Sequence, residues 1–218
     1  MKHKSHSLFF CAACALAAFI LWTVAVRFWD LQPIGPTGSI VGFATLNGYF
    51  HNLTGVHMDL YTITDWLSLV PVGFVLGFAS LGLAQWIKGR SLSRVDRSIL
   101  LLGGFYILVA ALFVFFEILV INYRPILING ILEASYPSST TMLVMCVMPT
   151  AILQLKARIH SKALKYCVLF LLFLFTIFMV IARLISGVHW LTDIVGGIFL
   201  STGLVTLYTA FQYHLSCN

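Results

Sequence analysis

Charged residues are what this chain has least of. Only 9% of its 218 residues are Asp, Glu, Lys or Arg, where a soluble domain carries about 25%. Sixty per cent are apolar and the mean hydropathy is +0.98. A soluble chain of this length has too few charges to cover so much apolar surface, so the solvent for most of it is lipid. Long polar stretches are also missing, which leaves no room for a second domain and predicts a single membrane domain over residues 1–218. Outward cysteines are lacking as well. Cys11, Cys14, Cys146 and Cys167 sit inside apolar segments and Cys217 in the C-terminal tail, which excludes a disulfide framework. Cys11 and Cys14 have redox-pair spacing, but in a lipid-facing run they read as small apolar residues. No internal repeat of the inverted-transporter kind is visible.

What the chain does have is apolar runs of membrane-spanning length, about 20 residues each. Six occur: Leu8–Trp29, Trp66–Ile87, Ser98–Ile121, Ser138–Leu155, Tyr166–Ile185 and Trp190–Phe211. The first resembles a signal peptide, but its apolar run continues to Trp29 with no small-x-small cleavage site, so it is expected to be a retained span. The fold class is therefore all-α, a six-span bundle.

Charges sort sharply by connection. Lys2, Lys4, Lys88, Arg90, Arg94, Arg97, Lys156, Arg158, Lys162 and Lys165 fall on one side with a single acid, Asp96. Arg27, Arg124 and Arg183 fall on the other with the remaining six acids. The positive-inside rule makes the basic side cytoplasmic, with both termini inside. The net charge of +6 is thus a topological signal, and a nucleic-acid partner is not expected. The outward segment from Asp30 to Asp65 is too short and polar for a span, and predicts a short interfacial helix or lid. His51, His57, Asp59 and Asp65 on it match no metal spacing and read as surface or structural.

Three polar clusters interrupt the apolar pattern at outward span ends, and ionisable groups at membrane depth are functional candidates by default. The strongest runs from Ala182 to Asp193. His189 and Asp193 stand four apart at the head of span six, one turn apart on one helix face. A carboxylate there accepts the proton of one imidazole nitrogen and frees the other to attack. Arg183 closes span five, and Gly187 permits a tight turn that returns a guanidinium towards the imidazole. Guanidinium binds phosphate oxygens in a fork. A satisfied polar cluster joining two helices is the competing reading. The second cluster is Glu117 with Arg124-Pro125, where Arg124 is either an interfacial anchor or a second phosphate clamp. The third, Tyr136-Pro137-Ser138-Ser139-Thr140-Thr141, opens span four. Its Pro and hydroxyl residues suit a helix N-terminus, whose free N–H groups attract anions. Together the clusters describe a phosphoryl site, and no cofactor is expected.

These residues resemble the type-2 phosphatidic acid phosphatase and vanadium haloperoxidase superfamily, whose pattern is K-x6-R-P, then P-S-G-H, then S-R-x5-H-x3-D. Arg183, His189 and Asp193 match the third motif in spacing, and Arg124-Pro125 matches the end of the first. The motif region covers residues 117–193. The resemblance implies a lipid-linked phosphate substrate and an outward-facing site in a multi-pass membrane protein. It also implies His189 as the nucleophile that becomes phosphorylated, Asp193 as its orienting partner, Arg124 and Arg183 as phosphate ligands, and Ser138, Ser139 and Thr140 as a phosphate cradle. Three positions depart: Glu117 stands for lysine, Ala182 for serine, and Thr140 for the histidine that serves the family as general acid. Loss of a general acid typically costs about 10²–10⁴-fold in rate. Glu117 is expected to pair with Arg124 or Arg183, or to serve as an acid itself. The reading is a metal-independent phosphohydrolase. Behind it stand a lipid-phosphate-binding pseudoenzyme, a phosphotransferase and, last, a transporter. The lipid and the oligomeric state are not legible.

Overall fold

The computed structural model describes residues 2–215, with side chains from Ser5 onward. Cys217 and the side chains of Lys2 and Lys4 lie outside the described residues. Eight α-helices follow one another: α1 Lys2–Phe28, α2 Ala44–Thr54, α3 Met58–Leu67, α4 Leu69–Gly89, α5 Arg97–Ile118, α6 Ser139–Arg158, α7 Lys162–Ile185 and α8 Leu191–Leu215. Six stretches of the described chain are long and apolar enough to cross a membrane, and they correspond to the six spans read from the sequence. The second begins earlier than the hydropathy suggests. Ser68 keeps right-handed helical dihedrals, so α3 runs on into α4 and the spanning stretch extends from Met58 to Gly89. The segment between α1 and this stretch holds α2, the short interfacial helix expected there.

Helix starts follow from local chemistry. The Asp96 carboxylate accepts the Ser98 amide at 2.8 Å and starts α5. The Ser138 hydroxyl accepts the Thr141 amide and starts α6. Such caps satisfy N–H groups that a helix cannot pair internally.

The two most buried spans are the two least apolar ones. Within their membrane windows α6 and α8 are 56% and 50% buried, against 11% for the α3–α4 stretch. Yet α6 and α8 are the least apolar spans, carrying Thr141, Thr150, Gln154, Ser201 and Gly196 inside. Lipid-facing helices must be apolar all round, whereas central ones meet other helices and use small and hydroxyl residues for close approach. Gly196 shows why: a Cβ there would lie 2.6 Å from the Tyr136 ring. Tyr136 is wedged against α8 by that absence and donates to or accepts from Thr23 of α1 at 2.7 Å.

At the end of the bundle carrying the basic connections, a polar clasp ties three helices. Arg158 reaches Asp96 at 2.8 Å and also bonds Gln154 and Ser98. Gln154 donates to the Tyr208 hydroxyl at 2.6 Å and to the Ser98 carbonyl at 3.2 Å. The opposite end is built differently.

Candidate active site

The turn between α7 and α8 sets the site. Gly187 has φ +72°, and a Cβ there would strike the Gly55 carbonyl at 2.1 Å. Only glycine satisfies both the left-handed conformation and the close approach. The chain then delivers His189 and Trp190 to the start of α8. Asp193, in the first turn, reaches back with one carboxylate oxygen to the Trp190 amide at 2.9 Å, the reciprocal half of a capping box. Asn47 of α2 supports the same turn: its amide donates to Thr192 at 2.9 Å and its carbonyl oxygen accepts the Thr192 N–H at 3.2 Å.

His189 is buried. Its Nδ1 lies 3.1 Å from the Ser135 carbonyl and 3.7 Å from the Asp193 carboxylate. The carbonyl can only accept, so Nδ1 carries the proton and Nε2 keeps its lone pair. The sequence assigned that orienting role to Asp193. In the structure the hydrogen bond goes to a main-chain oxygen of the 119–138 connection, and Asp193 stands behind it. Burial, and then the Arg124 and Arg183 guanidinia, hold the His189 pKa well below the usual imidazole value. The ring is therefore neutral, as a nitrogen nucleophile must be.

Both arginines are buried beside this ring. Arg183 donates to Thr64 at 3.1 Å, lies 4.6 Å over the Tyr61 ring, and comes within 4.0 Å of Asp65. Its partners all come from α3, at positions 61, 64 and 65, one face of one helical turn. Arg124 stands 3.0 Å from Glu133, close enough for an ion pair but misaligned for a hydrogen bond. Glu117 is exposed, and the expected pairing of Glu117 with either arginine is replaced by Glu133 and Asp65. The physical reason is the fold of the connection: Tyr123 bridges Ala134 and Ile128 bridges Ile131 in a tight antiparallel turn, which lays Glu133 across from Arg124.

Ser138 opens α6 and donates its amide to the Asp193 carbonyl at 3.1 Å, locking the start of α6 against the start of α8. That leaves the first-turn N–H groups of Ser139 and Thr140 without intrahelical acceptors. The wider site holds a concentration of buried polar atoms with no hydrogen-bond partner among the described residues. They include His189 Nε2, Arg124 Nη1 and Arg183 Nε, whereas the Asn122 amide and the Ser135 hydroxyl lie within reach of the Asp193 carboxylate. Most of these are donors or can turn to donate.

Space reaches the site from the lipid side. A groove of about 420 Å³ between α4, α5 and α6 has Asp65, Ser68, Ser139 and Thr140 at its head, and Val72, Val109 and Val147 below. At Val75, Tyr106 and Ala110 it adjoins a second apolar groove of about 580 Å³ between α4 and α5. A slot of about 10 Å³, lined by His189, Glu117, Tyr136 and Ser139, meets the first groove at Phe113 and Met142. The slot has room for about one water. Among the described residues no group of three or more His, Cys, Asp or Glu side chains is placed to hold a metal ion.

Sequence reasoning missed Asp65, Thr64, Tyr61, Glu133, Ser135, Asn122 and Asn47. Asp65 carried a visible signal, an acid at the head of an apolar span. The rest depend on how the connections fold.

A family model described as the PAP2 superfamily matches residues 72–216. No curated protein sequence matches the chain. Among solved structures, the chain is similar to a transmembrane PAP2-type phosphatidylglycerolphosphate phosphatase from Bacillus subtilis. The identity is 18% and the TM-score 0.52, with 95% of this chain and 97% of that one covered.

Proposed function

The chain belongs to the PAP2 superfamily, and from that premise we propose that it is a membrane phosphohydrolase for lipid-linked phosphates, with His189 as nucleophile and a preference for diphosphates. Family membership supports phosphatase-type chemistry in general. What carries the finer reading is the set of buried, unpartnered atoms around His189. Arg124 Nη1 and Arg183 Nε are free donors near the imidazole, the N-terminus of α6 is open, and Nε2 keeps a free lone pair. Leaving such groups unpaired costs about 1–3 kcal/mol each, a cost that a bound phosphate removes.

In this mechanism Nε2 attacks phosphorus. The P–N bond forms as the bond to the leaving oxygen breaks, and Arg124 and Arg183 hold the phosphoryl oxygens through the transition state. The Ser135 carbonyl and the Asp193 carboxylate steady the imidazolium that results. Water then releases phosphate. Thr140 stands where the family places its general acid, and a hydroxyl cannot deliver a proton near neutral pH. An alkoxide leaving group needs that proton. A phosphate leaving group, with a second pKa of about 6, departs without it. The apolar groove below Ser139 and Thr140 accommodates the hydrocarbon chain, its volume being in the range of ligand sites. The charge sorting of the connections supports a site on the outer face and both termini in the cytoplasm.

The test is phosphohistidine trapping on purified protein in detergent, with a polyprenyl diphosphate and phosphatidic acid in parallel. Phosphorylation of His189, faster turnover of the diphosphate, and loss of both in His189→Ala are expected. Equal rates on both substrates would overturn the leaving-group argument. Thr140 also favours a second reading, lipid-phosphate binding without turnover, which saturable binding with His189 never phosphorylated would establish.

A further inference from the structure

The geometry points to Asp65 as the base that activates water in the second half of the reaction, a catalytic role taken up where Thr140 replaces a histidine. This deepens the function proposed above and rests on it. Once the leaving group has gone, water must reach phosphorus from the face opposite Nε2, which is the face turned to the departed leaving group and hence to the groove. The proton of that water needs an acceptor there. Thr140 is at the right place but is not a base.

Asp65 lines the same groove head as Thr140 and Ser139. Its side chain is 61% exposed at the head of that groove, and it stands 4.0 Å from an Arg183 Nη, one of the two groups proposed to hold the phosphoryl oxygens. The turn of α3 that carries it is fixed to the same guanidinium through Thr64 Oγ1 and the face of Tyr61. Phosphate clamp and base are thus held as one unit. The other carboxylates are placed differently. Glu133 is engaged with Arg124, Asp193 lies behind the histidine ring, and Glu117 lines the slot on the His189 side.

The step balances. The water oxygen bonds to phosphorus as the P–Nε2 bond breaks, and the electron pair returns to Nε2. One water proton passes to the Asp65 carboxylate and then to solvent, leaving phosphate and the starting histidine. The first step asks nothing of Asp65, because the diphosphate leaving group departs unprotonated. The base is therefore needed for dephosphorylation alone.

The experiment uses full-length protein in detergent and a polyprenyl diphosphate labelled in its terminal phosphate, with rapid quenching to count phosphorylated His189 and free phosphate separately. In Asp65→Asn, phosphoenzyme should form at close to the wild-type rate and then accumulate, with phosphate release slowed about 10²-fold, the scale of general base catalysis. Formate should accelerate release in Asp65→Ala, which has space for a small carboxylate, and not in wild type. Phosphoenzyme formation that falls in step with release, or formate without effect, would mean that Asp65 only positions Arg183, and would overturn the assignment. So would release at the wild-type rate in Asp65→Asn. Phosphoenzyme in neither protein, with no turnover, would instead bring down the phosphohydrolase reading and this step with it. Trapped phosphoenzyme in the variants also reports that they fold.

Discussion

The two ends of the bundle bury similar chemistry and treat it in opposite ways. At the end with the basic connections, Gln154, Ser98, Tyr208, Arg158 and Asp96 form a closed set in which donors meet acceptors. At the His189 end the buried guanidinia and imidazole keep atoms unpaired, and every unpaired buried side-chain atom found among the described residues lies at that end. Gln154 and Tyr208 at one end and the His189 set at the other are buried, so both were costly to assemble. A satisfied cluster repays that cost in helix adhesion. An unsatisfied one is repaid only by something that binds, which makes the accounting of hydrogen bonds a better guide to function here than polarity itself.

Three measurements test this contrast. The largest effect is expected from Arg183→Lys and Arg124→Lys. Each keeps the charge but loses the planar fork, and diphosphatase turnover should fall about 10²-fold, the scale for one transition-state donor. Retention of full turnover would make the arginines mere anchors like Arg158. Next, Gln154→Leu opens the closed set and should lower stability by about 1–3 kcal/mol, read by unfolding in detergent. The rate per folded molecule should stay unchanged, and a loss of rate would show that the two ends are coupled. The smallest effect is a displaced pH profile. A depressed His189 pKa means that the neutral, attacking form persists as pH falls past the usual imidazole value of about 6.5. The acid limb of kcat/KM assigned to His189 should therefore lie below that value, and a limb at or above it would contradict the burial.

The same contrast explains what was legible in the chain. Features set by neighbours in sequence were read directly: the six spans, the hydroxyl-rich start of α6, the turn at Gly187, and the one-turn spacing of His189 and Asp193. Features set by how a connection returns were not. Glu117 looked like the partner of Arg124 because it precedes it by less than two turns, but α5 ends at Ile118 and the turn beyond brings Glu133 instead. The hydrogen bond that orients His189 comes from the main chain of Ser135, which no residue identity announces. Asp65 read as surface or structural because its spacing with His51, His57 and Asp59 matches no metal site. Its meaning comes from Arg183, more than a hundred residues away.

That the two most buried spans are also the least apolar has a consequence for biogenesis. A span enters the bilayer by its own partitioning, and that free energy is weakest where hydroxyls, amides and charges accumulate. The α6 segment, with Thr140, Thr141, Thr150 and Gln154 inside it, is the least suited of the six to leave the translocon unaided. It emerges after α1, α4 and α5, whose apolar surfaces are already in lipid, and α8 emerges last, to pack along α1 and close around it. The order of synthesis thus supplies the two polar central helices with a protein environment at the moment each must give up water.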